Sequence, residues 1–320
     1  MSLPGAILLM GPTGVGKTEV AAELVAQLPL EIVSVDSAMV YRGMDIGTAK
    51  PDAATRARVP HHLVDILDPA QRYSTGRFLE DARRAMADIR ERARVPLLVG
   101  GTMLYFRALQ SGLAELPAAD PGLRQRLDAR AAREGWPALH AELSRRDPGT
   151  AAAIRPADRQ RIQRALEILE LTGRPPSALR HEALRTGSRR GDLKIVLAPA
   201  ARQALAARIA ARFLQMMELG FLEEVRVLYG RGDLDAQLPS MRAVGYRQLW
   251  QHLAGHSSLA ESVERGIAAT RQLAKRQLTW LRAEPGAEWF PALESGVNAQ
   301  ILERAGQWLE SAGGENPPVC

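Results

Sequence analysis

The sequence predicts an α/β fold: a P-loop-type parallel sheet flanked by helices, with an inserted helical domain. Three observations predict it. In the first third, short apolar runs alternate with helical periodicity, as βαβ units require. A glycine-rich stretch, Gly11-Pro12-Thr13-Gly14-Val15-Gly16-Lys17-Thr18, joins the first apolar run to the first helical pattern. An arginine-rich helical segment then separates two β-like runs, VPLLV (95–99) and KIVLAP (194–199).

Taken in order, AILLM (6–10) reads as the first strand, and Lys17 to Leu28 as a helix stopped by Pro29. EIVSVD (31–36), rich in β-branched residues, is a second strand, and HHLVDIL (61–67) a further strand or extended segment. Ser74 to Ala93 forms an amphipathic helix with Phe78, Ala82, Met86 and Ile89 on one stripe, capped by Ser74 or Thr75. VPLLV is a buried strand ending at Gly100-Gly101-Thr102, followed by a helix carrying Leu104 and Leu109. ELPAADPG (115–122) breaks the pattern as a linker does. Helices follow, punctuated by Gly-Arg-Pro-Pro (173–176) and Gly-Ser-Arg-Arg-Gly (187–191). After KIVLAP, helices are expected over 201–229, 241–254, 258–283 and 296–312. The expected domains are a core of 1–117 with 190–320, and a basic helical insertion at 118–189.

The chain has 320 residues and 46% hydrophobic content, enough to bury a core and to exclude disordered, fibrous and disulfide-scaffold classes. One cysteine, Cys320, excludes an internal disulfide and a cysteine-ligated zinc site. No apolar run approaches the roughly 20 residues that span a bilayer. A cytoplasmic monomer without membrane attachment is expected. The net charge of +6 is not spread evenly: residues 118–190 hold 15 arginines and no lysine against 9 acids, and the remainder holds 27 of each sign. One segment therefore carries the whole excess, which points to a polyanion-facing surface.

The stretch 11–18 fits G-x-x-x-x-G-K-[ST] in its required context of strand before and helix after. Glycines let backbone N–H groups converge on phosphate oxygens, Lys17 adds charge, and the Thr18 hydroxyl reaches Mg²⁺. Such loops usually work with a second Asp at the end of a buried strand. VPLLV ends in Gly-Gly-Thr instead, which weakens nucleotide hydrolysis as the main activity. Asp36 closes the second strand at the ligand-binding edge of the sheet, placed to take a proton from an acceptor or to cap the next turn with Ser37. Thr102 faces the same rim, with a helix N-cap as its plainer role. The helix opened by Asp158-Arg159-Gln160-Arg161-Ile162-Gln163-Arg164 and the stretch carrying Arg271, Lys275, Thr279 and Arg282 offer RNA-facing or merely solvated surfaces. His252 and His256 stand at i, i+4 without a third metal ligand in view. These residues alone leave open a P-loop kinase of a nucleoside or small metabolite, a regulatory RNA-binding ATPase, or a prenyltransferase acting on a free adenylate.

Six segments together resemble the tRNA dimethylallyltransferase (tRNA isopentenyltransferase) family in its bacterial form. They are GPTGVGKT (11–18), DSAMVYRGMDIGTAKP (36–51), GGTMLYF (100–106), RQRIQRALE (159–167), PSMRAVGYRQLW (239–250) and ATRQLAKRQLTWLR (269–282). The resemblance implies transfer of a dimethylallyl group from dimethylallyl diphosphate to N6 of the tRNA adenosine immediately 3′ of the anticodon. It implies Asp36 as general base, Thr102 at the reacting region, Gly11 to Thr18 on the diphosphate, and Thr18 on Mg²⁺. It further implies that Asp36, Ser37, Ala38, Met39, Thr102, Arg124, Gln160, Arg161, Ile162, Gln163 and Arg164 meet the anticodon stem-loop. From the C-terminal third it adds Met241, Arg242, Ala243, Val244, Gly245, Tyr246, Lys275, Arg276, Gln277 and Arg282.

Overall fold

A computed structural model describes residues 5–111, 116–117, 119–186 and 191–314. The chain divides into two compact units, Met1–Phe106 with Arg190–Cys320, and Arg107–Arg189. In order the elements are β1 (Ile7–Met10), α1 (Lys17–Gln27), β2 (Leu30–Val35), α2 (Ala53–Arg58), β3 (His61–His62), α3 (Thr75–Glu91), β4 (Val95–Gly100) and α4 (Met103–Ser111). Next come α5 (Pro121–Glu134), α6 (Trp136–Arg146), α7 (Pro148–Ala151), α8 (Arg159–Thr172), α9 (Pro176–Thr186) and β5 (Leu193–Pro199). The chain closes with α10 (Arg202–Glu218), α11 (Phe221–Tyr229), α12 (Tyr246–Leu253), α13 (Leu259–Leu281), β6 (Glu288–Ala292) and α14 (Val297–Gly314).

In the first unit the described strands form one parallel sheet in the order β3-β2-β4-β1-β5-β6. β1 is central and wholly buried, which explains its unbroken apolar run. Val20 and Leu24 of α1 and Ile301 and Trp308 of α14 share a core with Ile7, Leu9 and Leu97. The α3 stripe of Phe78, Ala82, Met86 and Ile89 is buried as the periodicity predicts, and Ser74 Oγ accepts the Arg77 N–H at 3.1 Å. The register pairs Gly100 with both Met10 and Val35, so the ends of β1, β2 and β4 lie side by side. Loops 11–16, 36–38 and 101–102 therefore leave one sheet edge together.

The structure departs from the sequence expectations at four places. Of 61–67 only His61–His62 pairs as a strand; Leu63 and Asp65, at φ 64° and 57°, turn the chain out of the sheet. The helix expected over 201–229 breaks at Gly220, φ 96°, into α10 and α11. The helix expected from 241 starts at Tyr246, because 239–245 is irregular. β6 was not foreseen: it is a five-residue strand at the sheet edge, where Pro291 is readily accommodated. Among the described residues no helix is long and apolar enough to cross a membrane.

The second unit packs α5 to α9 around Leu123, Leu127, Leu139, Leu143, Ile162 and Leu166. The division from the first unit falls within α4, earlier than the proline-rich stretch at 115–122. Glu167 is fully buried and is held by four donors: Arg124 Nε at 2.8 Å and Nη2 at 3.0 Å, Arg164 Nη1 at 2.6 Å, and the Asp120 N–H at 2.9 Å. Burial alone would push its carboxyl up, but the two guanidinium groups and the N–H hold it below the ordinary value of 4.5. A depressed pKa stabilises the fold above pH 4.5, and that contribution is lost as pH falls below it. Glu167→Gln is expected to destabilise this unit by about 1–3 kcal/mol at pH 7, since both arginines are partly exposed. Amide exchange in α5 and α8 should accelerate accordingly, and the variant should lose less stability than the parent between pH 5 and 3.

Candidate active site

The phosphate loop leaves β1 with Gly14 and Gly16 at φ 81° and 97°, conformations that a side chain strains. Among the described residues the N–H groups of Gly14, Val15 and Gly16 meet no acceptor, and α1 has no side-chain cap. The loop thus presents a cluster of unpaired donors at a helix N-terminus, a site suited to linked phosphates. Lys17 Nζ folds back over it, donating to the Gly11 and Pro12 carbonyls at 2.9 and 2.8 Å. Burial lowers its pKa to about 8, against the opposing pull of Asp36.

Asp36 stands at the sheet edge with its two carboxylate oxygens in different surroundings. Its Oδ1 accepts the N–H groups of Ala38 at 2.8 Å and Met39 at 3.2 Å, capping the turn after β2. Its Oδ2 has no protein donor among the described residues. Thr102 does not cap α4 with its side chain: its Oγ1 accepts the Ser37 N–H at 3.2 Å, leaving its hydroxyl proton to donate elsewhere.

Two cavities of about 490 and 480 Å³ adjoin here, and their walls share Thr13, Gly14, Asp36, Gly101, Arg212 and Gln277. One is lined by the phosphate loop, Lys17, Thr18 and Met39. The other is lined by Ser37, Ala38, Thr102, Arg242, Arg276 and Trp280. Asp36 stands where the two meet. Arg212, on α10, escaped sequence reasoning because nothing in its local pattern distinguishes it from other arginines. It has no carboxylate within ion-pair distance among the described residues, and burial holds its guanidinium below the ordinary value.

Several residues expected to meet RNA are buried or have partners within the chain. Ile162 and Met241 are fully buried in their cores. Tyr246 is buried with its hydroxyl on Glu224, and Gly245 is buried beneath the same corner. Gln277 bridges the Thr13 N–H at 2.9 Å and the Gly101 carbonyl at 2.8 Å, and is buried. Arg124 and Arg164 are committed to Glu167, and Gln163 bonds the Arg124 carbonyl and Asp128. Contiguous motif residues on a helix alternate between core and surface, so a motif cannot face one ligand along its whole length. What remains exposed is Ser37, Gln160, Arg161, Arg242, Lys275, Arg276 and Arg282, with Ala243 and Val244 at the wall of the second-named cavity. Lys275 and Arg282 also rim a groove with Arg202 and Arg271. The helical unit adds exposed Arg126, Arg133, Arg145 and Arg155, which have no ion-pair partner among the described residues.

A donor-rich phosphate loop, a carboxylate with a free oxygen and a second cavity opening on that carboxylate define a P-loop enzyme built for group transfer. A family model described as IPP transferase matches residues 39–284. The chain is 58% identical over 300 residues to a tRNA dimethylallyltransferase of Methylococcus capsulatus, covering 92% of this chain and 94% of that protein. It is 55% identical over 305 residues to a tRNA dimethylallyltransferase of Bordetella petrii, covering 95% and 97%. The crystal structure of a tRNA isopentenylpyrophosphate transferase from Bacillus halodurans is similar at TM-score 0.71 and 38% identity, covering 97% of this chain and 98% of that one. A eukaryotic dimethylallyltransferase acting on tRNA shares the fold at TM-score 0.83 and 24% identity, covering 96% and 80%. The chain belongs to the IPP transferase family.

Were the loop to bind a phosphate ligand, Lys17 would make that binding depend on pH. A bound anion stabilises the ammonium form, so binding takes up a proton whenever pH exceeds the free value of about 8. An organic diphosphate, whose own last ionisation lies near 6 as for other phosphate esters, is already fully charged there. Its affinity is expected to be level near pH 7 and to fall towards tenfold per pH unit above about 8. Calorimetric titration of wild type and Lys17→Met checks this; the variant should bind more weakly and without the slope.

Proposed function

We propose that the chain transfers a dimethylallyl group from dimethylallyl diphosphate to N6 of the adenosine immediately 3′ of the anticodon, in tRNAs that read codons beginning with U. The observation that carries the reading is the pair of cavities meeting at Asp36: one is fitted to a diphosphate, and the other opens between exposed cations. The two substrates then approach from opposite sides and need contact only at the reacting atoms.

In this reading the loop N–H groups of residues 14–16, Lys17 and Arg212 hold the diphosphate and absorb the negative charge that grows as the allylic C–O bond breaks. The N6 lone pair forms the new C–N bond, Asp36 Oδ2 takes the N6 proton, and diphosphate leaves with the electrons of the broken bond. The Asx turn through Oδ1 keeps Oδ2 directed away from the backbone. The free proton of Thr102 donates at the same point. The residues present fit a hard cation: the Thr18 hydroxyl is exposed at the first turn of α1, has no partner among the described residues, and lines the cavity with Asp36. Mg²⁺ bound at Thr18 would neutralise charge on the departing diphosphate.

The adenosine must leave its stack to enter the second cavity. Arg242 and Arg276 at that cavity, the groove bearing Lys275 and Arg282, and the exposed arginines of the helical unit with Gln160 are the proposed phosphate and base contacts.

Incubation with unmodified tRNA, dimethylallyl diphosphate and Mg²⁺, followed by nuclease digestion and mass spectrometry, is expected to yield a prenylated adenosine. Its absence with folded protein defeats the reading. Asp36→Ala should lower turnover by about 10²–10⁴-fold while tRNA affinity stays within about twofold. A large loss of affinity would make Asp36 a recognition residue instead.

A further inference from the structure

The loop that forms one wall of both cavities is held from outside by a single carboxylate. Glu224, in the first turn of α11, accepts the Asp45 N–H at 2.8 Å and the Ile46 N–H at 2.7 Å through Oε2. Its Oε1 accepts the Gly47 N–H at 3.1 Å and the buried Tyr246 hydroxyl. Three consecutive backbone donors on one carboxylate fix both position and tilt of that stretch, since no rotation of the loop keeps all three bonds. Gly47 and Thr48, the next residues along, line the cavity that holds Ser37 and Thr102, and Thr48 lines the phosphate-loop cavity as well.

Packing closes the same corner from behind. A Cβ added to Gly47 would lie 2.1 Å from Phe221 and 2.7 Å from Tyr246, so the loop sits directly on two aromatic rings. Those rings meet edge to face at 5.0 Å. At the other end Lys50, whose side chain is almost wholly buried, ties the Tyr41 carbonyl to Asp45 and Asp65. Lys50 therefore anchors the end of the loop, whereas Glu224 sets the part that faces the cavities.

We propose that Glu224 is a positioning residue for the transfer reaction, its carboxylate setting the 45–48 loop as the wall on which acceptor and donor are aligned at Asp36. The kinetic part of this inference rests on the proposed function; the loop clamp itself does not. Glu224 touches neither cavity and acts only through the loop backbone. Glutamine is the informative replacement, because it keeps the size but turns an NH₂ group towards backbone donors and loses the charge.

The experiment combines three readouts on Glu224→Gln. Amide exchange at residues 45–47 is expected to accelerate at least tenfold while exchange elsewhere is unchanged. Turnover should fall about 10–100-fold, as for misalignment of about an ångström. Affinity for inorganic diphosphate should stay within about threefold, because the phosphate loop is untouched. Gly47→Ala, which pushes the loop from behind with Glu224 intact, should reproduce the kinetic loss. Acetate added to Glu224→Ala should restore part of the turnover, and acetamide should not. Unchanged exchange at 45–47 overturns the clamp, and unchanged turnover with exposed amides overturns its positioning role. A parallel loss of diphosphate affinity reduces Glu224 to general support of the unit and also overturns it. Failure of the wild-type chain to transfer a prenyl group defeats the proposed function, and the exchange readout then still decides the clamp.

Discussion

In the sheet unit, Gln277 accepts the Thr13 N–H at 2.9 Å and donates to the Gly101 carbonyl at 2.8 Å, joining the phosphate loop, the end of β4 and α13 through one buried carboxamide. The Gln277 carboxamide lies so close to the chain that a Cβ on Gly101 would be 2.4 Å from its Nε2. The site depends on this joint. The parallel register brings three loops to one edge, but loops leaving a sheet edge are free to splay. Gln277 ties the first of them to the third, and Thr102 ties the third to the second through the Ser37 N–H. Asp36 is thereby fixed between two cavities rather than inside one.

What was legible in the sequence is what depends on neighbours in the chain. The phosphate loop follows from local φ angles and orphan N–H groups, so 11–18 reads directly, as do the buried strands and the α3 stripe. Asp36 and Thr102 follow from their place at strand ends. The partners that complete the site come from far along the chain: Gln277 lies 264 residues from Thr13, and Glu224 lies 177 from Gly47. No periodicity marks a helical Glu or Gln as the one that reaches a distant backbone. The motifs around 160–164 and 239–250 do not show by themselves which of their side chains face outward. Ile162, Met241 and Tyr246 face inward because a helix or corner packed on a core must bury part of every motif it carries. β6 was missed for a related reason, since an edge strand of five residues carries no pattern longer than chance.

The charge excess shows how composition and structure answer different questions. The composition of the arginine-rich segment points to a polyanion-facing surface. In the helical unit Arg124, Arg130, Arg146, Arg159, Arg161, Arg164 and Arg174 all lie within ion-pair distance of acids, and Arg124 and Arg164 hold the unit together through Glu167. The cations left for a polyanion are fewer and more specific, chiefly Arg126, Arg133, Arg145 and Arg155. The same division holds in the sheet unit: Lys50 is a buried tie, whereas Lys275 and Arg282 are exposed.

In the sheet unit the phosphate loop, Gly101 and α13 form one preorganised frame around Asp36. Single-turnover transfer by Gln277→Ala, measured beside the affinities for inorganic diphosphate and for an unmodified anticodon stem-loop, tests this most directly. Such a frame predicts a transfer rate lowered about 10–100-fold, a diphosphate affinity lowered only severalfold by the loss of one hydrogen bond, and an unchanged stem-loop affinity. A wild-type transfer rate, or a loss confined to stem-loop binding, would contradict it.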